Sequence, residues 1–291
     1  MKTNVIKIGG SCLKSINSLR QLDRILKDWP NSIVVMSAFD GITDRLYEQY
    51  ENEERFSFVE GLFISFSQML SVGMTGWHEV YKELLALNDL NNDAVFKRTI
   101  ENCSIEYYVS LGERLSASVT YIYLKRNNRV NFIPSHLLGI MVEGKDDQKY
   151  INISTSMEKY EELRESLGSC TTISTGFYGI DSGGKISTLG RNTSDYSASA
   201  IAAITHSGDL TLFKDVDGIY PKDPKYFPLE KPYEFMDFDE ALEIVCRGSE
   251  IVHENAIKLC KEYGITLRVL NFNNPERGTT ISKFGQLVKY R

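Results

Sequence analysis

The sequence predicts an α/β fold built on a central, mainly parallel sheet, and three observations lead to this class. Short apolar runs suited to strands alternate along the chain with longer stretches whose apolar residues recur at helical spacing. The run Ser32–Ser37 (SIVVMS) is largely apolar, as in strands that are buried on both faces of a sheet. The chain has 291 residues, which is enough to bury a large core as one big domain or two fused lobes.

The elements of the first half follow from local pattern. Asn4–Ile8 (NVIKI) is a predicted strand that ends at a pair of glycines. Ile16–Asp28 is a predicted helix because its apolar residues recur every three or four positions. Further helices are expected in much of Glu51–Asn88 and in Leu111–Arg126, and a short strand is expected at Val130–Pro134.

The second half continues the alternation. Glu143–Met157 is polar, and we expect it to be a mobile insertion. A strand at Thr171–Ser174 precedes a glycine-rich stretch, residues 176–190, and an Ala-rich helix is predicted at Tyr196–Thr205. The remaining predictions are strands at Asp209–Phe213 and Thr266–Leu270 and helices at Asp239–Cys246 and Glu254–Tyr263.

Composition and charge exclude several classes of protein. The chain is 42% hydrophobic and 25% charged, so it is neither disordered nor collagen-like. Its 33 Lys+Arg against 39 Asp+Glu give a net charge of −6, which argues against sequence-independent binding of nucleic acid. A phosphate ligand would therefore need cations placed locally. The sequence has no apolar run of eighteen residues, so we expect no membrane span.

The cysteines and histidines suggest neither disulfides nor a metal centre. The 5 cysteines are spread along the chain without a C-x-x-C pair, and the 4 histidines show no ligand spacing. The first residues reach glycine too soon for a signal peptide. We therefore expect a reduced, cytoplasmic protein with no bound metal of its own.

The first motif that carries chemistry is the strand end that contains Lys7, followed by Gly9, Gly10 and Ser11. A Gly-Gly turn lets backbone N–H groups approach a phosphate, and a nearby lysine neutralises charge on a phosphoryl group. The alternative is an ordinary tight turn with a solvated lysine. Cys12 is expected to be a small residue that fills a buried site.

A second motif, Thr188–Ser197 (TLGRNTSDYS), immediately precedes the Ala-rich helix. Arg191 presents a planar fork that suits a carboxylate or phosphate, and Asp195 is able to hold Lys7. Because the segment is also rich in N-cap residues, the alternative is a well-capped helix with Arg191 free in solvent.

A third motif, Phe213–Lys225 (FKDVDGIYPKDPK), follows a predicted strand. Loops at the carboxyl ends of parallel strands commonly bind nucleotides, with Tyr220 suited to a base and Lys214 or Lys225 to phosphates. The alternative is a rigid connection, since D-G and D-P pairs mark turns.

Taken together and in this order, these segments resemble the aspartate kinases of the amino-acid kinase superfamily. VIKIGGS is similar to K-F-G-G-T-S, VVMSAFDGITDRL to V-V-x-S-A-x-x-G-I-T, and YYVSLGERLSA to S-x-G-E-x-x-S. The two later segments are longer. STGFYGIDSGGKISTLGRNTSDYSASAIA resembles T-x-G-F-x-G followed by T-T-L-G-R-G-G-S-D-Y-T-A-A, and FKDVDGIYPKDPK resembles T-D-V-x-G-I-Y-T-x-D-P-R. The agreement spans nearly the whole chain.

The resemblance implies a three-layer α/β/α amino-acid-kinase fold and ATP- and Mg²⁺-dependent phosphorylation of the side-chain carboxylate of L-aspartate to 4-phospho-L-aspartate. Lys7 and Asp195 would be catalytic, and the first of these would also contact the nucleotide. The implied substrate-binding residues are Thr43, Glu113, Arg191 and Ser194. The implied nucleotide-binding residues are Lys7, Gly9, Gly10, Ser11, Lys214, Asp215, Tyr220 and Lys225.

Three departures from the family pattern stand out. The motif G-A-K-V-L-H-P is GSEIVHE here, so Glu250 occupies the position of a phosphate-contacting lysine, for which Arg247 or Lys258 could substitute. The paired glycines of R-G-G-S-D are Asn192 and Thr193; if the backbone there has positive φ, Asn tolerates it better than Thr. The sequence also ends after the catalytic region, so we expect no regulatory ACT domains.

These departures keep two alternatives open: a kinase of the same fold that acts on a different carboxylate, and a non-catalytic relative that binds a nucleotide or a partner protein. In either case the chain is expected to be a single catalytic domain, residues 1–291. Residues to about 170 would supply most of the acceptor site and the remainder the nucleotide site. Small molecules are the expected partners, and a homodimer is compatible with the family.

Overall fold

The computed structural model describes residues 3–71, 76–165, 169–222, 227 and 229–283. The helices in this part of the chain are α1 (Ile16–Ile25), α2 (Ile42–Gln49), α3 (Arg55–Leu70), α4 (Trp77–Leu87), α5 (Asp93–Asn102), α6 (Ile105–Leu124), α7 (Ile153–Arg164), α8 (Ser194–Ile204), α9 (Phe238–Cys246) and α10 (Glu254–Tyr263). The strands are β1 (Val5–Ile8), β2 (Ile33–Met36), β3 (Val130–Phe132), β4 (Val142–Glu143), β5 (Tyr150–Ile151), β6 (Thr171–Thr175), β7 (Tyr178–Ile180), β8 (Ile186–Thr188), β9 (Asp209–Lys214), β10 (Phe235–Met236), β11 (Thr266–Asn271) and β12 (Gly278–Ile281).

Within these residues, eight strands form one sheet in the order β10-β12-β11-β9-β1-β2-β6-β3. The run from β11 to β3 is parallel throughout, and β12 is antiparallel to β11. Helices pack on both faces of the sheet, so the predicted three-layer α/β/α class is confirmed. The parallel arrangement brings the carboxyl ends of β1, β2 and β9 to one edge, where such folds bind ligands.

Alternate residues of the central strands face two separate apolar cores. Ile6 and Ile8 belong to the core on the side of α1, α3 and α6, whereas Val5 belongs to the core on the side of α8 and α10. Because side chains alternate along a strand, Lys7 lies on the same face as Val5, toward α8. The position of this buried lysine thus follows from the register of a core strand.

Helix α8 comes close to the sheet because its side chains are small. It runs Ser194–Ile204 (SDYSASAIAAI), every residue of it is buried, and it packs on β1 and β2. Its first turn therefore lies beside the ends of these strands, which places Asp195 next to Lys7.

Most predicted elements are confirmed, with small shifts at their ends. The sequence reasoning missed α2 and α5, which are short and amphipathic, and placed the start of α6 six residues too late. The expectation for Glu143–Met157 was wrong: this stretch contains β5 and the first turn of α7, begun by Asn152, whose side chain accepts from the Thr155 N–H. The residues of this stretch are polar because they cap and begin a half-exposed helix, not because they form an insertion. No helix in the described ranges is long and apolar enough to cross a membrane.

Replacing Asp237 with Ala should destabilise the fold. The Asp237 carboxylate accepts from the backbone N–H groups of Asp239 and Glu240. The Asp237 N–H in turn donates to the Glu240 carboxylate, which completes a capping box at the start of α9. We expect a loss of about 1 kcal/mol in the free energy of unfolding, measured by urea denaturation. Asp28→Ala, at an exposed position outside any helix, is the control and should leave stability unchanged. Equal stability of the two variants would contradict the role of the cap.

Candidate active site

A cavity of about 780 Å³ opens at the carboxyl ends of β1, β2 and β9. The described residues that line it come mainly from four segments, namely 7–11, 37–44, 191–195 and 245–254. Glu113, Phe177 and Lys214 complete the lining. This volume lies within the range of small-molecule sites, and most of the predicted site residues face the cavity.

Asp195 lies between two lysines in the cavity wall. Its Oδ1 is 2.8 Å from Lys7 Nζ and its Oδ2 is 2.8 Å from Lys214 Nζ. The Asp195 side chain is 4% exposed, that of Lys7 6% and that of Lys214 16%. The expected pairing of Lys7 with Asp195 is therefore confirmed, and Lys214 joins it from the end of β9. Three ionisable groups of this kind are buried only when they neutralise one another.

Burial and pairing oppose each other at these groups. Burial alone would raise the pKa of Asp195, but Lys214 and Lys7 outweigh it and hold that pKa far below its usual range. Burial lowers the pKa of Lys7, and the charge of Lys214 lowers it further, while Asp195 raises it. The carboxylate is thus firmly ionised, and Lys7 has an environment that an additional anion would improve.

The glycine turn packs closely against β9 and lies beside both lysines. A Cβ built on Gly9 would lie 3.8 Å from Lys7 Nζ and 3.8 Å from Lys214 Cδ, and a Cβ on Gly10 would meet Ala38 O at 2.8 Å. The Gly9 N–H donates to Phe213 O at 3.1 Å, which ties the turn to β9. Gly10 is therefore required by packing, and Gly9 keeps the cavity floor free of side chains.

The other predicted nucleotide residues are placed unevenly. Ser11 lines the cavity, and its hydroxyl donates to Asp215 Oδ1 at 2.9 Å, so Asp215 holds the turn without lining the cavity itself. Tyr220 is half-buried and is also absent from the lining among the described residues. Lys225 lies outside the described residues. The roles of all four stay predictions.

Glu113 is buried on α6 and aims at the cavity. It is 3% exposed, and its Oε2 has no hydrogen-bond partner among the described residues. Burial raises the pKa of this carboxyl to about 8, against smaller lowering effects from the backbone at Ala38 and from Lys7. Thr43 also lines the cavity and faces Gly112, where a Cβ would lie 3.6 Å from its Oγ1. The unpaired oxygen makes Glu113 a candidate acceptor for a ligand's cationic group.

Arg191 is not free in solvent, so that alternative is wrong. Its Nη1 lies 2.9 Å from Asp44 Oδ1, and its guanidinium carbon is 4.9 Å above the ring of Tyr47. Both partners are on α2, a helix that the sequence reasoning did not predict. Asp44 lines the cavity beside Arg191, and nothing in the local sequence links two residues so far apart. The pair is exposed by 61% and 64%, so it exchanges easily with another anion.

The two residues that replace the paired glycines adopt different conformations. Asn192 has a φ of 61°, in the left-handed region, whereas Thr193 has a φ of −89° and serves as the N-cap of α8. Asn is thus at the position that needs positive φ, and the β-branched residue is at the one that does not. Asn192 lines the cavity, as does Ser194, the first residue of α8.

The loop between α9 and α10 forms one wall and carries Glu250, which is exposed. Arg247 pairs with Glu243 and Lys258 pairs with Glu254, each along its own helix or next to it, and neither is in the described cavity lining. The expectation that one of them takes the place of a lysine at position 250 therefore finds no support in their contacts.

His253 lines the same wall and was set aside in the sequence reasoning as an isolated histidine. Its Nδ1 accepts from the Asn255 N–H at 3.2 Å, and its ring stacks on Tyr196 at 6.1 Å between centroids. Burial lowers its pKa, which favours the neutral ring with the proton on Nε2. The sequence signal that would have indicated His253 is its place in the segment GSEIVHE, where it matches the histidine of G-A-K-V-L-H-P.

The cavity suits a nucleotide better than a metal held by protein alone. Among the described residues, no group of three or more His, Cys, Asp or Glu side chains is arranged to hold a metal ion. Mg²⁺ is commonly held by substrate phosphates, water and one or two carboxylates, which this cavity is able to provide once a nucleotide is bound.

Comparison with known proteins gives a consistent result. The model of the amino acid kinase family matches residues 2–271. Aspartokinase 2, chloroplastic, of Arabidopsis thaliana is 25% identical over 309 residues, which cover 99% of this chain and 56% of that protein. An aspartokinase of Rickettsia prowazekii is 32% identical over 183 residues, which cover 61% of this chain and 40% of that protein. The chain thus spans about half the length of these relatives.

Solved structures show the same likeness. The structure of E. coli aspartokinase III in complex with aspartate and ADP matches with a TM-score of 0.84 at 24% identity, covering 97% of this chain and 65% of that one. Clostridium acetobutylicum aspartate kinase matches with a TM-score of 0.69 at 26% identity, covering 98% and 63%. These matches show that the fold is shared.

Replacing Glu113 with Gln should change how stability depends on pH. The raised pKa means that the folded state keeps a proton which the unfolded state loses above about pH 4.5, the ordinary value. The loss of folding stability caused by ionising the buried Glu113 carboxyl is therefore absent below pH 4.5. It grows as the pH rises and levels off above about 8. We expect the free energy of unfolding of Glu113→Gln to equal that of the wild type near pH 5. At pH 8 it should be larger than that of the wild type by on the order of a few kcal/mol.

Urea denaturation at several pH values measures this difference. Glu48→Gln, at an exposed position on α2, is the matched control and should show no pH-dependent difference from the wild type. A difference between Glu113→Gln and the wild type that stays constant from pH 5 to 8 would mean that Glu113 titrates normally.

Proposed function

The chain belongs to the amino acid kinase family, and on this basis we propose that it transfers the γ-phosphoryl group of ATP to the side-chain carboxylate of L-aspartate. The products are 4-phospho-L-aspartate and ADP. The observation that carries the proposal is the buried Lys7–Asp195–Lys214 group at the floor of an open cavity. The similarity to proteins named aspartokinases, one of them solved with aspartate and ADP, supports the choice of acceptor.

In this reaction an acceptor carboxylate oxygen bonds to the γ-phosphorus while the bond from that phosphorus to the β,γ-bridging oxygen breaks. The acceptor is already an anion, so no general base is needed, and the protein has to position the reactants and neutralise charge. The Lys7 ammonium serves this purpose from the end of β1. Asp195 is a positioning residue, because its carboxylate pairs with both lysines and fixes their ammonium groups while the phosphoryl group is transferred.

The nucleotide phosphates fit the space above the glycine turn. Gly9 and Gly10 line the cavity beside Lys7 and Lys214, and backbone N–H groups at such turns bind phosphate oxygens. Mg²⁺ would be held mainly by the phosphate oxygens and would supply further charge neutralisation. The nucleotide roles of Asp215, Tyr220 and Lys225 are part of this proposal.

The acceptor site is proposed to lie around Glu113 and Arg191, which line the same cavity. Glu113 carries a buried, unpaired oxygen that suits the ammonium group of an amino acid, and binding of that cation would lower its pKa. Arg191 binds the acceptor's carboxylate by exchanging Asp44 for it, with Thr43 and Ser194 adding hydroxyl groups. The acceptor and nucleotide sites thus each draw on residues from both halves of the chain, before and after about residue 170.

A kinase of the same fold with a different carboxylate acceptor is the second candidate. It is favoured by Asn192, whose side chain lines the cavity where the family motif has glycine. A non-catalytic relative is favoured only by Glu250, whereas the buried lysine pair around Asp195 would be costly to keep without a ligand to use it.

A hydroxylamine trap tests the acceptor directly, because acyl phosphates react with hydroxylamine to form hydroxamates. With ATP and Mg²⁺ present, we expect hydroxamate from L-aspartate, and little from succinate, which lacks the ammonium group that Glu113 is proposed to bind. Product from another acid and none from aspartate would contradict aspartate as the acceptor and support the second candidate, a kinase with a different carboxylate acceptor. Absence of product from every acid, with ATP binding demonstrated, would support the non-catalytic relative.

Replacing Lys7 with Ala should abolish turnover while the fold remains intact. Loss of a cation that faces the transferred phosphoryl group typically costs about 100-fold or more in rate. Asp195 retains Lys214 in this variant, so we expect the melting temperature to remain close to that of the wild type. Lys185→Ala, in an exposed turn away from the cavity, is the control for loss of one positive charge. Near-normal turnover of Lys7→Ala would remove Lys7 from the mechanism.

A further inference from the structure

Two cavity positions differ in charge from the family motifs that the chain otherwise resembles. Lys214 occupies the position of the threonine in T-D-V-x-G-I-Y, and Glu250 occupies the position of the lysine in G-A-K-V-L-H-P. The two residues are 36 positions apart in the sequence, yet both line the same cavity. One wall of the cavity has therefore gained a cation, and another has lost one.

The gained cation is held at the cavity floor. Lys214 is the last residue of β9, beside β1, and its Nζ lies 2.8 Å from Asp195 Oδ2 while Lys7 occupies Oδ1. Its aliphatic chain passes Gly9, whose missing Cβ would lie 3.8 Å from Lys214 Cδ. The Lys214 ammonium group is thus fixed next to the glycine turn, where phosphates are proposed to bind.

The wall that lost its cation is acidic. Among the described residues of the segment 245–254, the charged ones that line the cavity are Glu250, in the loop, and Glu254, the first residue of α10. Arg247 and Lys258 lie close in sequence, but they pair with Glu243 and Glu254 and do not contribute to the described lining. A phosphate that approached this wall would meet negative charge.

The buried group itself favours an additional anion. Lys7 and Lys214, as ammonium ions, exceed the single carboxylate of Asp195 by one positive charge, and all three are largely buried. Asp195 balances the charge of only one of the two lysines, so a purely structural role for Lys214 leaves the buried group with an excess positive charge. A bound phosphate would balance that charge.

We propose that Lys214 makes the phosphate contact that the family motif assigns to the lysine at position 250, so that the cation has moved from the α9–α10 loop to the end of β9. The phosphate chain of the nucleotide then lies toward β9 and away from Glu250. This inference rests on the proposed function only in requiring a nucleoside triphosphate as ligand, and it does not depend on the acceptor.

Exchanging the two positions tests the relocation. The variants are Lys214→Thr, Glu250→Lys and the double variant, and the measurement is the dissociation constant of Mg²⁺·ATP by titration calorimetry without any acceptor. We expect Lys214→Thr to weaken binding at least tenfold and Glu250→Lys to strengthen it several-fold. The double variant restores the motif's arrangement and should bind within about threefold of the wild type.

Two controls remove or add a charge away from the cavity. Lys185→Thr loses one exposed lysine and Glu53→Lys gains one, and neither position lines the cavity. Both should bind Mg²⁺·ATP as the wild type does. Turnover, measured with whichever acceptor the hydroxylamine trap identifies, should follow the same order of variants as the affinity.

Three results would overturn the relocation: unchanged affinity of Lys214→Thr, unchanged affinity of Glu250→Lys, or a double variant that binds no better than Lys214→Thr. If Lys214→Thr fails to fold, Lys214→Met decides instead, because it keeps the buried aliphatic chain and removes only the charge; unchanged affinity of that variant would equally overturn the relocation. Failure of the proposed acceptor is a separate result, since it would remove the aspartyl hydroxamate and leave the ATP affinities as predicted.

Discussion

The arrangement of the site depends on one buried carboxylate that binds two lysines. Asp195 is able to hold Lys7 and Lys214 only because β1, β9 and the first turn of α8 meet at one edge of the sheet. Three buried charges are tolerated together because each has a partner within 2.8 Å. The alanine-rich face of α8 allows this closeness, since larger side chains would push the helix away from β1 and β2.

Around this group, the cavity separates two kinds of environment. The glycine turn and the lysines form a floor that suits phosphates, whereas Glu113 offers a buried acid whose pKa is raised to about 8 by burial. The exposed pair of Arg191 and Asp44 lines the same cavity. The proposed phosphoryl transfer to a carboxylate would use these two environments for the nucleotide phosphates and for the acceptor, because such an enzyme mainly aligns and neutralises its reactants.

Local pattern was a good guide wherever an element had a strong period or a marked turn. The strands around Lys7 and Lys214 and the Ala-rich helix were found from hydrophobicity alone, and the pairing of Lys7 with Asp195 was expected from their motifs. Helix α2 was missed because it has only 8 residues, and with it the contact between Asp44 and Arg191. The capped start of α7 was mistaken for an insertion because its residues are polar.

By itself, the sequence determined the fold class, the strand that carries Lys7, the glycine turn and the family likeness, since these depend on short-range pattern and motif order. The tertiary structure alone decided that Lys214 shares Asp195 with Lys7, that Asn192 rather than Thr193 takes the positive φ, and that Glu250 faces the same cavity. The physical reason is that charge pairing acts through space, between side chains that a chain brings together only after its sheet and helices have packed.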